Sequence, residues 1–535
     1  MRGFRFWLAL LVAGLMVATA ACDSDSSDDT TAAGGDTSAL ETQVSDLTAE
    51  VEQAKADLAA AEAQLGSAAV TVSVESAGAL VAPTEPIAIG EDGWTNGESV
   101  RGGLQLIFDS QGASEEGPDS WDVAAHPRVY FTSESHQSNN PNLAEDANFA
   151  GYHVIDAYTK EVVSSHLFEY EGNITRGPHG IGVSPDGKWM YVGWAETPEG
   201  ESASEFGEGT RIGYVAIVNI RTGKMDKLLR QSSYFEGGTR SQAVHHIQCW
   251  IDWEGNDRCI IQWGFGANGG PHHIVDPNDN NRVVKSITYD DVKPMGHPFT
   301  TPSPDGQYVY ISMGANFIRG NHSPAAAVAK LDLATGEHVV IEGTGAHPIG
   351  ITHTMDGKWT FVVDGHGPVF KIDNETDEVV SQYDAGVAGP YGICLNWDES
   401  MAFTVGKGEG THNLGNNLGV MDVESWRQAR NIGPMPIYLG GSAQSVDHCA
   451  LHPDPEVNEI WVSNMKGWET IVVDLDTYEP SDWIATPNGG DTHGMAFVWY
   501  DGGWENGVLH SDMGGPKSPE MKANVAAAVA ASASG

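Results

Sequence analysis

One phrase recurs seven times along this chain and limits what it can fold into: an acidic turn, usually closed by glycine, directly after a short apolar run. It reads Ser184-Pro185-Asp186-Gly187, Asp252-Trp253-Glu254-Gly255, Ser303-Pro304-Asp305-Gly306, Thr354-Met355-Asp356-Gly357, Asn396-Trp397-Asp398-Glu399, His452-Pro453-Asp454-Pro455 and Trp499-Tyr500-Asp501-Gly502. A second series of seven is a β-rich run ending in a polar turn, at Val154-Ile155-Asp156, Ile217-Val218-Asn219, Ile274-Val275-Asp276, Lys330-Leu331-Asp332, Lys371-Ile372-Asp373, Val420-Met421-Asp422 and Val472-Val473-Asp474. Apolar runs bounded by such turns form antiparallel hairpins. A period of roughly 45 to 65 residues is that of a propeller blade. Each unit therefore predicts strand, Asp-Gly turn, strand, loop, strand, Asp-x-x-Thr-Gly-like turn, strand, which is one four-stranded blade.

The two series are offset by one place. The run near Ile155 lacks a leading strand, and the last leading strand, Thr492 to Tyr500, lacks a run to follow it. If that C-terminal strand completes the first blade, the ring closes and loses its sheet edges. The expectation is an all-β fold, a seven-bladed β-propeller over residues 120–513, with residues 69–119 as a lead-in and 514–535 as a frayed tail.

The N-terminus has a different character. Arg2 and Arg5 precede the apolar run Phe6 to Ala21, which reads as a secretory signal over residues 1–21. Ala20-Ala21-Cys22 resembles the lipobox of bacterial lipoproteins, making Cys22 a candidate for lipidation and a membrane tether. Thr19 departs from that pattern, so cleavage without lipidation is the alternative. Residues 22–37 have the composition of a disordered tether. In 38–68, Leu40, Val44, Leu47, Val51, Ala54, Leu58, Ala61 and Leu65 alternate spacings of four and three, predicting an N-terminal coiled-coil helix that joins copies of the chain into a homo-oligomer. A single helix packed on the main domain is the other reading. These features place the mature protein outside the cytoplasmic membrane, periplasmic or extracellular.

A formal charge of −45 argues against nucleic acid and anionic lipid as partners and suits a cationic protein partner or a high-salt habitat. Cys249 and Cys259 flank Glu254-Gly255 symmetrically, so a hairpin there could oppose them in a disulfide. Cys394 and Cys449 read as buried thiols. No Cys-x-x-Cys supports a zinc ribbon or c-type haem.

Aligning the residue that leads each inner strand gives His179, His246 (with His245 before it), His297, His347, Tyr391, His448 and His493. Six of seven are His in a chain with 20 histidines among 535 residues, so chance explains the pattern poorly. Inner strands of a propeller start at one end of the central channel, so these imidazoles would face one another. Packed that closely they cannot all be protonated, and neutral imidazole is a ligand for copper, zinc, iron and nickel. Seven exceed what one ion takes and suit several metal ions. Turn residues that hydrogen-bond the strand ends are the bland alternative. Lys407, in Val405-Gly406-Lys407-Gly408, either projects into the channel to stabilise developing negative charge or is an exposed loop lysine. His272 and His273 fall beside a third strand, away from the ring.

The segment Pro178-His179-Gly180-Ile181-Gly182-Val183-Ser184-Pro185-Asp186-Gly187-Lys188 looks like the YVTN-type propeller superfamily, which includes lactonases, haem d1 domains and the propeller of nitrous oxide reductase. The histidine pattern resembles nitrous oxide reductase, in which seven histidines hold a copper–sulfide cluster, one blade giving an adjacent pair and one giving none. By that resemblance His179, His245, His246, His297, His347, His448 and His493 are copper ligands. The implied reaction is reduction of N2O to N2 and water. Nothing after Met513 could form the family's electron-entry cupredoxin domain, so the donor would be an external cytochrome c or cupredoxin, a basic one suiting the acidic surface. The alternatives are a propeller lactonase or other hydrolase using one divalent metal, with carboxylates as well as His lining the channel, and a non-catalytic binding propeller.

Overall fold

The computed structural model describes residues 74–80, 104–119, 127–134, 143, 147–170, 174–177, 179–196, 212–231, 244–263, 271–287, 291–292, 299–313, 327–408, 415–433, 435, 445–465, 467–501 and 503–516. All lie in the compact unit Val74–Gly535. The signal, Cys22, the tether and the coiled coil fall outside the described residues, as does the tail from 517. Among the described residues no helix is long and apolar enough to cross a membrane.

Seven antiparallel blades are present. The third to seventh each take four consecutive strands, led by Val244–Ile251, Thr300–Pro302, Pro348–His353, Pro390–Leu395 and Ser445–Leu451. In the second, Ile181–Val183 leads and Trp189–Glu196, Ile212–Asn219 and Lys224–Gln231 follow. The first joins both ends of the chain: Met495–Tyr500 pairs with Arg128–Glu134, which pairs in turn with Phe149–Asp156 and then Val162–Tyr170. The ring thus closes by the C-terminal strand, as the offset of the two turn series predicts.

Burial falls from the axis outward. All six residues of Pro348–His353 are buried, whereas the fourth strand of that blade, Glu378–Asp384, alternates exposed and half-buried positions. Neighbouring blades share apolar clusters, for example Ile181, Val183, Ile247 and Ile261. The repeated turns have a physical cause. Ser184 Oγ donates to Asp186 Oδ1 at 2.6 Å, and Gly187 takes φ +69°, which glycine adopts without a Cβ clash. At the outer turn Asp332 Oδ1 accepts the backbone N–H groups of Ala334 and Thr335, and Asp373 and Asp474 repeat the arrangement.

Three features differ from the sequence reading. The lead-in carries two strands: Val74–Leu80 adds in parallel to Val162–Tyr170, and Leu104–Asp109 adds antiparallel to Lys224–Gln231, so both covered edges belong to the first two blades. Strand pairing continues past the expected boundary, because Gly507–Asp512 folds back on Met495–Tyr500 and then pairs with Gly515–Pro516. Cys394 and Cys449 are not thiols but a disulfide joining the inner strands of the sixth and seventh blades, where the narrow axis brings neighbours within reach, with Cα atoms 6.2 Å apart. Cys249 and Cys259 form the cross-strand disulfide that the hairpin predicts.

The returning strand Gly507–Asp512 runs along the channel. Leu509 N donates to Pro185 O, and Ser511 Oγ donates to Leu451 O, so it touches inner strands of the second and seventh blades. A methyl on Gly515 would come within 3.3 Å of Thr352 Oγ1 in the fifth. The hairpin fills the axis below the ring of leading residues.

Candidate metal centre at the mouth of the channel

Each inner strand starts at the same end of the channel, so its leading side chain is delivered to a common point. Glycine makes the approach possible. A Cβ on Gly180, the residue after His179, would lie 2.8 Å from His246 Cα. One on Gly392, after Tyr391, would lie 2.8 Å from Asp447 O and 3.1 Å from His448 Cα. Backbone approach of this kind excludes any side chain.

His179, His245, His246, Tyr391, His448 and His493 meet there, and none is more than 3% exposed. The rings of His179 and His245 stack with centroids 4.6 Å apart, and the His493 ring lies 4.3 Å from His179 at a tilt of 41°. His246 and His448 face each other through Nε2 atoms 3.1 Å apart, so at least one of them is neutral. The Tyr391 hydroxyl sits 3.1 Å from both His179 Nε2 and His245 Nε2, and can donate to one while accepting from the other. Phe299 covers this face, 4.8 Å from the His246 ring.

The structure divides the remaining ring candidates. His347 is buried at its expected position, with its backbone N–H donating to Asp364 Oδ2, and its ring lies 6.1 Å from that of His366. It belongs to neither of the two ligand groups that the described residues form, His179–His245–His246 and His179–Asp447–His493, each with donor atoms within 4.8 Å of one another. His297 lies outside the described residues. Lys407 is no exposed loop lysine: it is held at the site, with Nζ 3.0 Å from Asp447 Oδ1 and 3.6 Å from the centre of the Tyr391 ring. His272 and His273 are buried in a third strand, as expected.

Two carboxylates escaped the sequence reading. Asp447 Oδ2 accepts from His493 Nδ1 at 3.0 Å and lies 3.5 Å from His448 Nε2 and 3.8 Å from His179 Nε2. Asp491 Oδ2 is 2.9 Å from His493 Nε2. A signal existed for the first: Asp447 precedes His448 as His245 precedes His246, so one register position in two blades carries a second potential ligand. Burial opposes ionisation of Asp447, but Lys407, His448 and His493 outweigh it and hold its carboxyl well below the usual range. Burial pushes His448 down to about 4, leaving a neutral imidazole with a lone pair to give. Burial also works against a charged His493, yet Asp491 and Asp447 prevail and hold it up at about 9. The site therefore has an imidazole half and an ion-paired half. The imidazole half fits a metal that prefers nitrogen donors, such as copper or zinc.

No family model matches the chain, and no curated protein matches it in sequence. In three dimensions the chain is similar to the dihydro-heme d1 dehydrogenase NirN in complex with DHE, at 13% identity and a TM-score of 0.44, covering 78% of this chain and 83% of that one. It is also similar to the Kuenenia stuttgartiensis hydrazine synthase, at 14% identity and a TM-score of 0.40, covering 70% of this chain and 98% of that one.

Proposed function

We propose that this propeller is a copper-dependent reductase of nitrous oxide, working outside the cytoplasmic membrane and held there through Cys22. The observation that carries the reading is the convergence of five buried imidazoles, from four blades, on one end of the channel. Copper held by His179, His245, His246 and His448, with His297 and His347 added by the family resemblance, would supply the electrons for N2O + 2e− + 2H+ → N2 + H2O; His493, which the same resemblance makes a ligand, has both ring nitrogens on carboxylates and no lone pair to give.

The chain's own part is to handle protons and charge. His493, kept cationic between Asp447 and Asp491, and Tyr391, whose hydroxyl is shared by two imidazoles, both hold a proton beside the cluster. Lys407 sets a positive charge over Tyr391, where it would stabilise negative charge developing on an oxygen atom. An external cytochrome c or cupredoxin would deliver the electrons.

One observation favours a second reading. His179, Asp447 and His493 form a mixed carboxylate–imidazole group, the donor chemistry of a hydrolase with a single divalent ion. Anaerobic purification followed by metal and acid-labile sulfide analysis, with N2O consumption driven by a reduced viologen, separates the two. Several copper ions per chain and N2O turnover support the reductase. One zinc or calcium with ester or lactone hydrolysis supports the hydrolase. Full copper retention in a His245→Ala/His246→Ala variant would sink the copper assignment.

A further inference from the structure

The C-terminal hairpin brings a sulfur atom to the underside of the imidazole cluster. Gly507–Asp512 climbs the channel antiparallel to Met495–Tyr500, with Asp512 opposite Ala496, three residues after His493. The chain then reverses, because Asp512 also pairs with Gly515, which leaves Met513 and Gly514 as the tip. Gly514 N donates to Asp512 Oδ1 at 2.7 Å and fixes that turn. The tip therefore ends just beneath the level at which the leading residues begin.

The side chain at this tip is placed by its neighbours. A methyl built on Gly494, directly after His493, would meet Met513 Sδ at 3.1 Å and Gly180 Cα, directly after His179, at 3.0 Å. The thioether thus lies at the seam where the backbones carrying His179 and His493 adjoin, and those two rings stand 4.3 Å apart. Met513 is 2% exposed, yet among the described residues it belongs to none of the six apolar clusters that the blades share. A buried thioether beside the backbones that carry two of the ring imidazoles offers a soft donor to a soft ion.

We propose that Met513 is a thioether ligand for Cu(I) entering the imidazole chamber, supplied from the channel side by the C-terminal hairpin. The proposal rests on the copper reading of the site. On this reading imidazoles bound the chamber from the sides and sulfur from below.

The test loads the full chain with Cu(I) alone, without sulfide, and compares it with Met513→Leu, a swap close in volume that removes only the sulfur. The two disulfides occupy every described cysteine, so they offer no thiolate. Copper X-ray absorption of the wild type should show a sulfur neighbour that is lost in M513L. Cu(I) affinity, read by competition with a chromophoric chelator, should fall by roughly ten-fold or more. Unchanged metal-free thermal unfolding would show that M513L retains the fold. If M513L does not fold, Met513→Cys, which keeps a sulfur donor, replaces it and should retain the sulfur signal. A wild type that binds Cu(I) with nitrogen neighbours alone, or an M513L variant with unaltered affinity and spectrum, overturns the proposal while leaving the copper site standing. A wild type that binds no Cu(I) overturns both.

Discussion

Lys407 Nζ and Asp447 Oδ1 lie 3.0 Å apart across the boundary between the sixth and seventh blades, and the Asp447 side chain has no exposure to water. Breaking one side of such a pair leaves a buried charge without its partner, at a cost on the order of 3 kcal/mol. Lys407→Met should therefore destabilise the metal-free protein by about that much in denaturant unfolding. Adding Asp447→Asn should recover part of the loss. A double variant no more stable than K407M would mean that the pair contributes nothing.

The glycines directly after the ring residues are predicted to be more sensitive than glycines with open space around them. Gly392→Ala forces a methyl against Asp447 O and His448 Cα, both backbone atoms that cannot rotate away. It should lower stability by about 2 kcal/mol or more and weaken metal binding together. Gly503→Ala meets nothing within 4 Å and serves as the control. Equal behaviour of the two in thermal unfolding would remove the packing account of the ring.

Glu399 gives a pH dependence remote from the metal site. It stands where five of the other six repeats have glycine, at φ +57°, and burial, with help from Asp356 and Asp398, pushes its pKa from 4.5 up to about 7, although the Met355 N–H donates to it. The folded chain thus binds a proton that the unfolded chain releases between these values. This contribution to stability is fully present below 4.5 and is lost as pH rises through about 7. Glu399→Gln keeps an acceptor for Met355 and should flatten that decline. The check is a comparison of midpoints at about pH 5 and about pH 8; parallel curves for the two proteins would refute it.

The disulfides should differ in weight. On chain-entropy grounds, closing the 55-residue separation between Cys394 and Cys449 stabilises by about 4 kcal/mol, against about 2.7 kcal/mol for the 10-residue separation of Cys249 and Cys259. Alanine pairs at each position, compared by chemical denaturation, should follow that order. Cys449 adjoins His448, so C394A/C449A should also weaken metal binding, and a variant with normal metal affinity would show that blade packing alone holds His448.

What was legible beforehand was whatever the fold repeats. Seven acidic turns and seven outer turns fixed the blade count, and the shared register put His179, His246, His448 and His493 at equivalent strand ends. Asp447 shared its register position only with His245, a single parallel that names no carboxylate, and it reaches His493 only where the seventh and first blades meet; Asp491, two residues before His493, belongs to no repeat. The same holds for Cys394 and Cys449: 55 residues apart in the chain, they are neighbours only around the axis. Val74–Leu80 and Leu104–Asp109 were hidden because an edge strand needs no repeat partner of its own.

The first blade has a consequence for how the protein is made. Arg128–Glu134 leaves the ribosome more than three hundred residues before Met495–Tyr500, the strand it must pair with, so the ring stands open through most of synthesis. His493 and Met513 arrive with that last strand and its return. The chamber is therefore completed at the close of folding, and loading of any metal belongs to the finished chain. A nascent or truncated chain would present imidazoles with neither the acidic partner network of His493 nor a floor beneath them.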